Sequence, residues 1–148
     1  MPPGRAASGL ARGSLPRVRY LSPEWMEAAR RALADDDTPR PALAGVKLTV
    51  EQTVEDTPDG TATWHIAIAD GRMALSAGPA DQPDLRITTR WETAAAVAAG
   101  TLAAQRAFVE GRLRLGGDLS LLLTHQRALA AVDDVLAPVR ALTSYESP

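Results

Sequence analysis

Between residues 46 and 76 apolar and polar residues alternate with a period of two, and this constrains the fold more than any other feature of the chain. The apolar positions fall into three runs: Val46, Leu48 and Val50; Trp64, Ile66 and Ile68; Met73 and Leu75. Because successive side chains of a strand point to opposite faces, each run predicts a strand with one apolar and one wet face. Asp59-Gly60 and Asp70-Gly71 separate the runs and are typical of hairpin turns, in which glycine adopts a positive φ. The pattern therefore predicts three antiparallel strands.

Other segments predict two more strands and the helices that cover the sheet. Shorter alternating stretches around Leu85 and Leu113 predict a fourth and a fifth strand. Ser22-Pro23 predicts a helix over residues 23–34, since serine is a good N-cap and proline suits the first helical position. Residues 91–99 and 102–110 predict two short helices stopped by glycines, and a longer last helix is expected from an Asp118 cap to Pro138. The expected fold class is α+β, a five-stranded, mainly antiparallel sheet with one face covered by helices.

The chain length fits one domain. Its 148 residues, 45% of them apolar, are enough for a single core. We expect residues 18–143 to form the domain, residues 1–17 to form a disordered tail and residues 144–148 to form a C-terminal tail. The N-terminal segment has three arginines and no acid, so a transit peptide or a membrane-touching arm is the alternative to a solvated tail.

Composition argues against several classes of function. The formal net charge is −2, so the chain has no excess of Lys and Arg with which to neutralise the phosphates of a nucleic acid. We therefore expect no nucleic-acid partner. The absence of cysteine leaves no disulfide, thiol nucleophile or thiolate metal site. No stretch approaches the length of a membrane span, and no usual zinc or calcium spacing is present. We expect neither a metal nor a cofactor.

The candidate catalytic side chains are few and scattered. His65 falls on the polar face of a predicted strand and His125 falls inside the last helix, and neither has an acid or nucleophile motif beside it. We interpret His125 as a half-buried histidine bonded to backbone or as a polar group at a pocket mouth. Asp133 and Asp134 are about 100° apart around a helix and do not converge. We expect no enzymatic activity.

The last helix is more apolar than a helix that only covers a sheet. A covering helix needs one apolar stripe, but here the apolar residues cover more than one. They are Leu119, Leu121, Leu122, Leu123, Leu129, Val132, Val135 and Leu136. The excess is compatible with a deep core or with one wall of a lined cavity.

Residues 100–118 resemble the signature region of the sterol carrier protein 2 (SCP-2) family. That region has a glycine, a Gln-basic-Ala-Phe segment, a second glycine, and a basic-apolar strand ending in Gly-Asp before an apolar helix. The matching residues are Gly100, Leu102, Gln105, Ala107, Phe108, Gly111, Leu113, Gly117 and Asp118. Asp70-Gly71 and residues 83–88 agree upstream. The departures are Ala103, Ala104, Ser120, Leu122 and His125, of which Leu122 replaces a small residue and could narrow a tunnel.

The resemblance implies a hydrophobic tunnel between sheet and helices that takes fatty acyl chains, sterols or related lipids. The residues expected to bind such a ligand are Trp64, Ile66, Val97, Phe108, Val109, Leu113, Leu115, Leu119, Leu122, Leu123 and His125. Eukaryotic carriers usually end in a peroxisomal tripeptide, whereas this chain ends Glu146-Ser147-Pro148, so a cytoplasmic, bacterial-type member is expected.

The expected function is reversible binding and transport of a lipid or other apolar metabolite. The alternative is a non-catalytic accessory module for a partner enzyme, with a filled or vestigial pocket. A third hypothesis, an enzyme with His125 or His65 as proton carrier, requires a polar group pointing into an apolar cavity beside a carboxylate. The partners predicted are an apolar small molecule and, transiently, a membrane surface.

Overall fold

The computed structural model describes residues 17–145. Five strands form the main sheet: β2 (Leu48–Thr57), β3 (Gly60–Ala69), β4 (Arg72–Ala77), β5 (Leu85–Arg90) and β6 (Leu113–Gly117). The helices are α1 (Pro23–Ala34), α2 (Trp91–Ala99), α3 (Ala104–Val109), α4 (Ser120–Thr124) and α5 (Gln126–Ala141). Two short strands, β1 (Val18–Arg19) and β7 (Thr143–Ser144), pair with each other, and a 3₁₀ turn covers Pro41–Leu43. The expected α+β class is confirmed.

The main sheet has the strand order β4-β3-β2-β5-β6. Its hairpins form at the two Asp-Gly turns, and Asp70 and Gly71 both have positive φ, as a two-residue turn requires. All pairs are antiparallel except β2 with β5, which are parallel. The mainly antiparallel sheet is therefore confirmed, with one parallel pair at its centre.

Helix α1 begins and ends where the sequence predicts. The Ser22 Oγ accepts a hydrogen bond from the backbone N–H of Trp25 at 3.1 Å, which caps the first turn. Trp25, Ala29 and Leu33 recur at a spacing of four and are buried. Past the helix end, Asp36 forms an ion pair with Arg40 at 2.8 Å. That hydrogen bond lowers the pKa of the Asp36 carboxyl.

The predicted last helix is wrong in two respects. It is interrupted at His125, which has φ −114 and ψ 25, and it continues through Pro138 to Ala141. Pro138 lies near the helix end, so it removes one N–H from the hydrogen-bond ladder without ending the helix. Val139, the next residue, is buried, and the Thr143 hydroxyl donates to its carbonyl at 2.6 Å. This packing holds the last turn in place beyond the proline.

The structured region includes part of the predicted C-terminal tail. Ser144 pairs with Arg19, and the Tyr145 ring lies 5.2 Å from the Tyr20 ring. These contacts join residues 144 and 145 to the first described residues of the chain, and the domain bounds of 18–143 remain a prediction. Residues 1–16 of the predicted N-terminal tail, and residues 146–148, lie outside the described residues.

Candidate ligand-binding cavity

A cavity of about 630 Å³ lies between the inner face of the sheet and helices α2 and α5. This volume is within the range of about 300–1,000 Å³ that is usual for small-molecule sites. Strands β2, β3, β4, β5 and β6 contribute Val50, Gln52, Thr53, Val54, Trp64, Ile66, Ile68, Leu75, Ile87, Thr89 and Leu113 to its lining. The helical and loop part comprises Tyr20, Trp25, Thr93, Ala94, Val97, Ala98, Gly100, Ala104, Leu129, Ala130, Val132, Asp133, Leu136 and Arg140.

Strand register assembles the apolar wall of the cavity. Val50 pairs with Ile66 on one side and with Leu85 on the other, so one row of apolar side chains crosses the centre of the sheet. The next row places Gln52 between Trp64 and Ile87. Because residues two apart share a face, the alternation read from the sequence is what directs these side chains inward.

Small residues of α2 leave room opposite that wall. Ala94 and Ala98 both line the cavity one helical turn apart, and Val97 lies beside them. A methyl side chain fills much less space than leucine, so the two alanines keep α2 from closing the space above the sheet. On the other side, Leu129, Val132 and Leu136 of α5 complete an apolar wall.

The charged members of the lining pair with each other. Arg140 donates to the Asp133 carboxylate at 3.2 Å and to the Asp133 carbonyl at 2.9 Å. Tyr20 lies at the same end, and burial raises the pKa of its phenol well above the ordinary value, so the group stays neutral. The cavity lining is therefore largely apolar, and at its rim the charges of Asp133 and Arg140 balance each other.

Four of the eleven residues predicted to bind ligand line the cavity: Trp64, Ile66, Val97 and Leu113. Three others are partly buried but do not form its lining. Leu115 pairs with Ile87 at the sheet edge, Leu122 packs against the core, and His125 is half-buried between α4 and α5.

The remaining four predicted residues point away from the cavity, with exposed fractions of 48% for Phe108, 83% for Val109, 43% for Leu119 and 76% for Leu123. Helix α3 has six residues, and of these Ala107 is the buried one, which turns Phe108 and Val109 outward. Helix α4 has five residues, none of them buried. These helices are too short for the apolar face that the sequence suggested.

Sequence reasoning missed several lining residues. The alternation that identified Trp64 and Ile66 also places Val50, Val54, Ile68 and Ile87 on the inner face, so this signal was available. The same spacing puts Gln52, between Val50 and Val54, on the inner face. By contrast, no sequence pattern distinguishes Arg140 as a cavity residue.

Neither histidine lies in the cavity lining. The Nδ1 atom of His65 is 2.9 Å from the carbonyl of Gly78 on the wet face of the sheet. Over residues 17–145, no group of three or more His, Asp or Glu side chains is arranged to hold a metal ion. No helix in that same range is both long and apolar enough to cross a membrane.

Comparison with protein families gives one match that covers most of the chain. The model of the SCP-2 sterol transfer family matches residues 27–130. No curated protein sequence is significantly similar to this chain.

Solved structures with the same fold share low sequence identity with this chain. A conserved hypothetical protein from Thermus thermophilus is 20% identical, with a TM-score of 0.63, over 88% of this chain and 94% of its own. The sterol carrier protein domain 2 of Helicoverpa armigera is 23% identical, with a TM-score of 0.54, over 73% and 86%. Palmitated SCP2L2 from Aedes aegypti is 20% identical, with a TM-score of 0.52, over 78% and 95%.

Proposed function

Because this chain belongs to the SCP-2 sterol transfer family, we propose that it binds a lipid or other apolar metabolite reversibly in its internal cavity and acts as a carrier. The observation that carries the proposal is the 630 Å³ cavity, whose lining is largely apolar. Binding there needs no reacting group, and the role that we propose is non-catalytic. The palmitated Aedes aegypti protein, which has the same fold, supports an acyl chain as one type of ligand.

The apolar lining is sufficient to drive binding. Each buried methylene contributes about 0.8 kcal/mol, so a chain of roughly ten methylenes supplies about 8 kcal/mol before the costs of ordering. That free energy corresponds to a dissociation constant of about one micromolar. A charged anchor is therefore not required, which agrees with the paired state of Arg140.

The test has two steps. Native mass spectrometry of the purified protein followed by organic extraction identifies any lipid that co-purifies. Titration with a fluorescent fatty acid then measures the affinity. Absence of a co-purifying lipid together with no binding at tens of micromolar would reject the carrier proposal.

A cavity-filling variant shows where the fatty acid binds. Val97→Trp places an indole in the lining, and we expect it to weaken binding about tenfold or more because ligand and indole compete for the same space. Ala99→Trp, two residues along α2 on an exposed position, is the matched control and should bind like the unmodified chain. Equal binding by both variants would place the ligand outside the cavity.

The accessory-module alternative is favoured by the adjacent exposed apolar side chains Phe108 and Val109 of α3. Monomeric proteins expose few such groups close together, and they are typical of contact surfaces. Under this alternative the unmodified chain does not bind the fluorescent fatty acid, and the double variant Phe108→Ser, Val109→Ser no longer associates with the partner enzyme. The cytoplasmic location and the transient membrane contact remain predictions from the sequence.

A further inference from the structure

Gln52 is a polar residue at the centre of an apolar face. The other inner-face positions of β2 are Leu48, Val50 and Val54, and all three are buried. Gln52 is half-buried and lines the cavity. No Gln52 amide atom is among the buried, unpartnered polar atoms of residues 17–145, so the amide stays accessible to a ligand in the cavity.

The neighbours of Gln52 among residues 17–145 form no hydrogen bond with its amide side chain. Its direct cross-strand partners are Trp64 and Ile87, and no hydrogen bond joins its amide to any residue in the described part of the chain. Thr89, which shares the inner face, behaves differently because its hydroxyl donates to the carbonyl of Arg112 at 2.9 Å. Among these inner-face polar residues, Gln52 is thus the one whose hydrogen-bonding groups are available to the cavity.

We infer that Gln52 forms a polar subsite for a neutral oxygen in the buried part of the ligand. An amide both donates and accepts, so the matching group is a hydroxyl or a carbonyl. A carboxylate fits less well, because the only cation of the described lining, Arg140, is paired with Asp133. The ligand class is an oxygenated lipid rather than a plain hydrocarbon chain.

This inference rests on the proposed function and is tested by two probes that differ in one oxygen. Decanol and decane, delivered from cyclodextrin, are titrated into the unmodified chain and into Gln52→Met, which keeps the length of the side chain without its amide. Loss of one neutral hydrogen bond weakens decanol binding about five- to tenfold, while decane binds the variant as tightly or more tightly. Gln105→Met makes the same chemical change on the exposed face of α3 and leaves both affinities unchanged.

The outcomes separate the two proposals. If decanol and decane respond equally to Gln52→Met, the subsite is overturned and the carrier function stands. If neither probe binds the unmodified chain and the fluorescent fatty acid also fails, the carrier function itself is lost.

Discussion

Arg140 and Asp133 lie two turns apart on α5, and the Arg140 guanidinium donates to both the carboxylate and the carbonyl of Asp133 at the rim of the cavity. The pair sits where the apolar lining meets solvent, with exposed side-chain fractions of 33% and 73%. This pair determines the charge at the point where a ligand enters. The positive charge of Arg140 is balanced by the carboxylate of Asp133 on the same helix.

Asp133→Asn should therefore shift ligand preference toward anions. Removing the carboxylate leaves Arg140 unpaired at the rim, and we expect decanoate to bind up to about fivefold more tightly while decanol is unaffected. Asp134→Asn changes the same charge at a neighbouring exposed position outside the lining and serves as control. Competition titrations against a fluorescent fatty acid measure the difference. An equal gain in decanoate affinity in both variants would mean that the net charge of the protein, and not the Arg140–Asp133 pair, causes the change.

Gly117 is expected to be irreplaceable by alanine. Its φ is +89, and a Cβ placed there would lie 2.2 Å from the carbonyl oxygen of Asp84. The strained backbone and the clash together should lower the free energy of unfolding by at least about 2 kcal/mol. At Gly116 a Cβ would meet its nearest neighbour at an ordinary 3.7 Å, so Gly116→Ala should be close to neutral. Urea unfolding of the two variants makes the comparison, and similar midpoints would contradict it.

Strand identity and hairpins could be predicted because they follow from local rules. Val50, Ile66 and Leu75 alternate with polar residues, and the Asp-Gly turns fix which strands are neighbours. The parallel pairing of β2 with β5 could not be predicted in this way. It joins residues that are 35 positions apart in the sequence and depends on how α2 and the edge strand β6 pack.

The cavity was predictable where a side chain's direction follows from the strand, as for Trp64, Ile66 and Leu113. The family signature located Phe108 in the sequence but not its orientation, which the burial of Ala107 determines. Gln52 is a case in which residue type and position disagree. A glutamine on a strand ordinarily indicates the solvent-exposed face, whereas the spacing of two from Val50 and from Val54 places it on the inner face.

Replacing Pro138 should stabilise the protein, since the proline lies inside α5 rather than ending it. Pro138→Ala restores one backbone N–H to the last turn and removes the ring from it, although the unfolded chain also gains some freedom. We expect a net gain of about 1–2 kcal/mol in the free energy of unfolding, measured by urea denaturation. Ala137→Gly, at the exposed position before it, should instead cost about 1 kcal/mol. A loss of stability in Pro138→Ala would mean that the proline shapes the packing of Val139.

Stability should fall at alkaline pH through Tyr20. Burial raises the pKa of Tyr20 well above its unfolded value of 10.0, the nearby Tyr145 raises it further, and Arg140 opposes both. Above pH 10 the unfolded chain therefore loses a proton that the folded chain keeps. The stabilisation is complete below pH 10 and is lost as the pH rises toward the folded pKa, by at most about 1.4 kcal/mol per pH unit.

Urea unfolding between pH 8 and pH 11 tests this dependence on Tyr20. Tyr20→Phe keeps the ring contacts with Trp25 and Trp91 and removes the phenol, so its stability should decline less steeply over that range. A smaller decline should remain, because burial also raises the pKa of Tyr145. Parallel curves for Tyr20→Phe and the unmodified chain would mean that Tyr20 ionises as readily in the folded protein as in the unfolded chain, and that its ring end is open to water at the cavity rim.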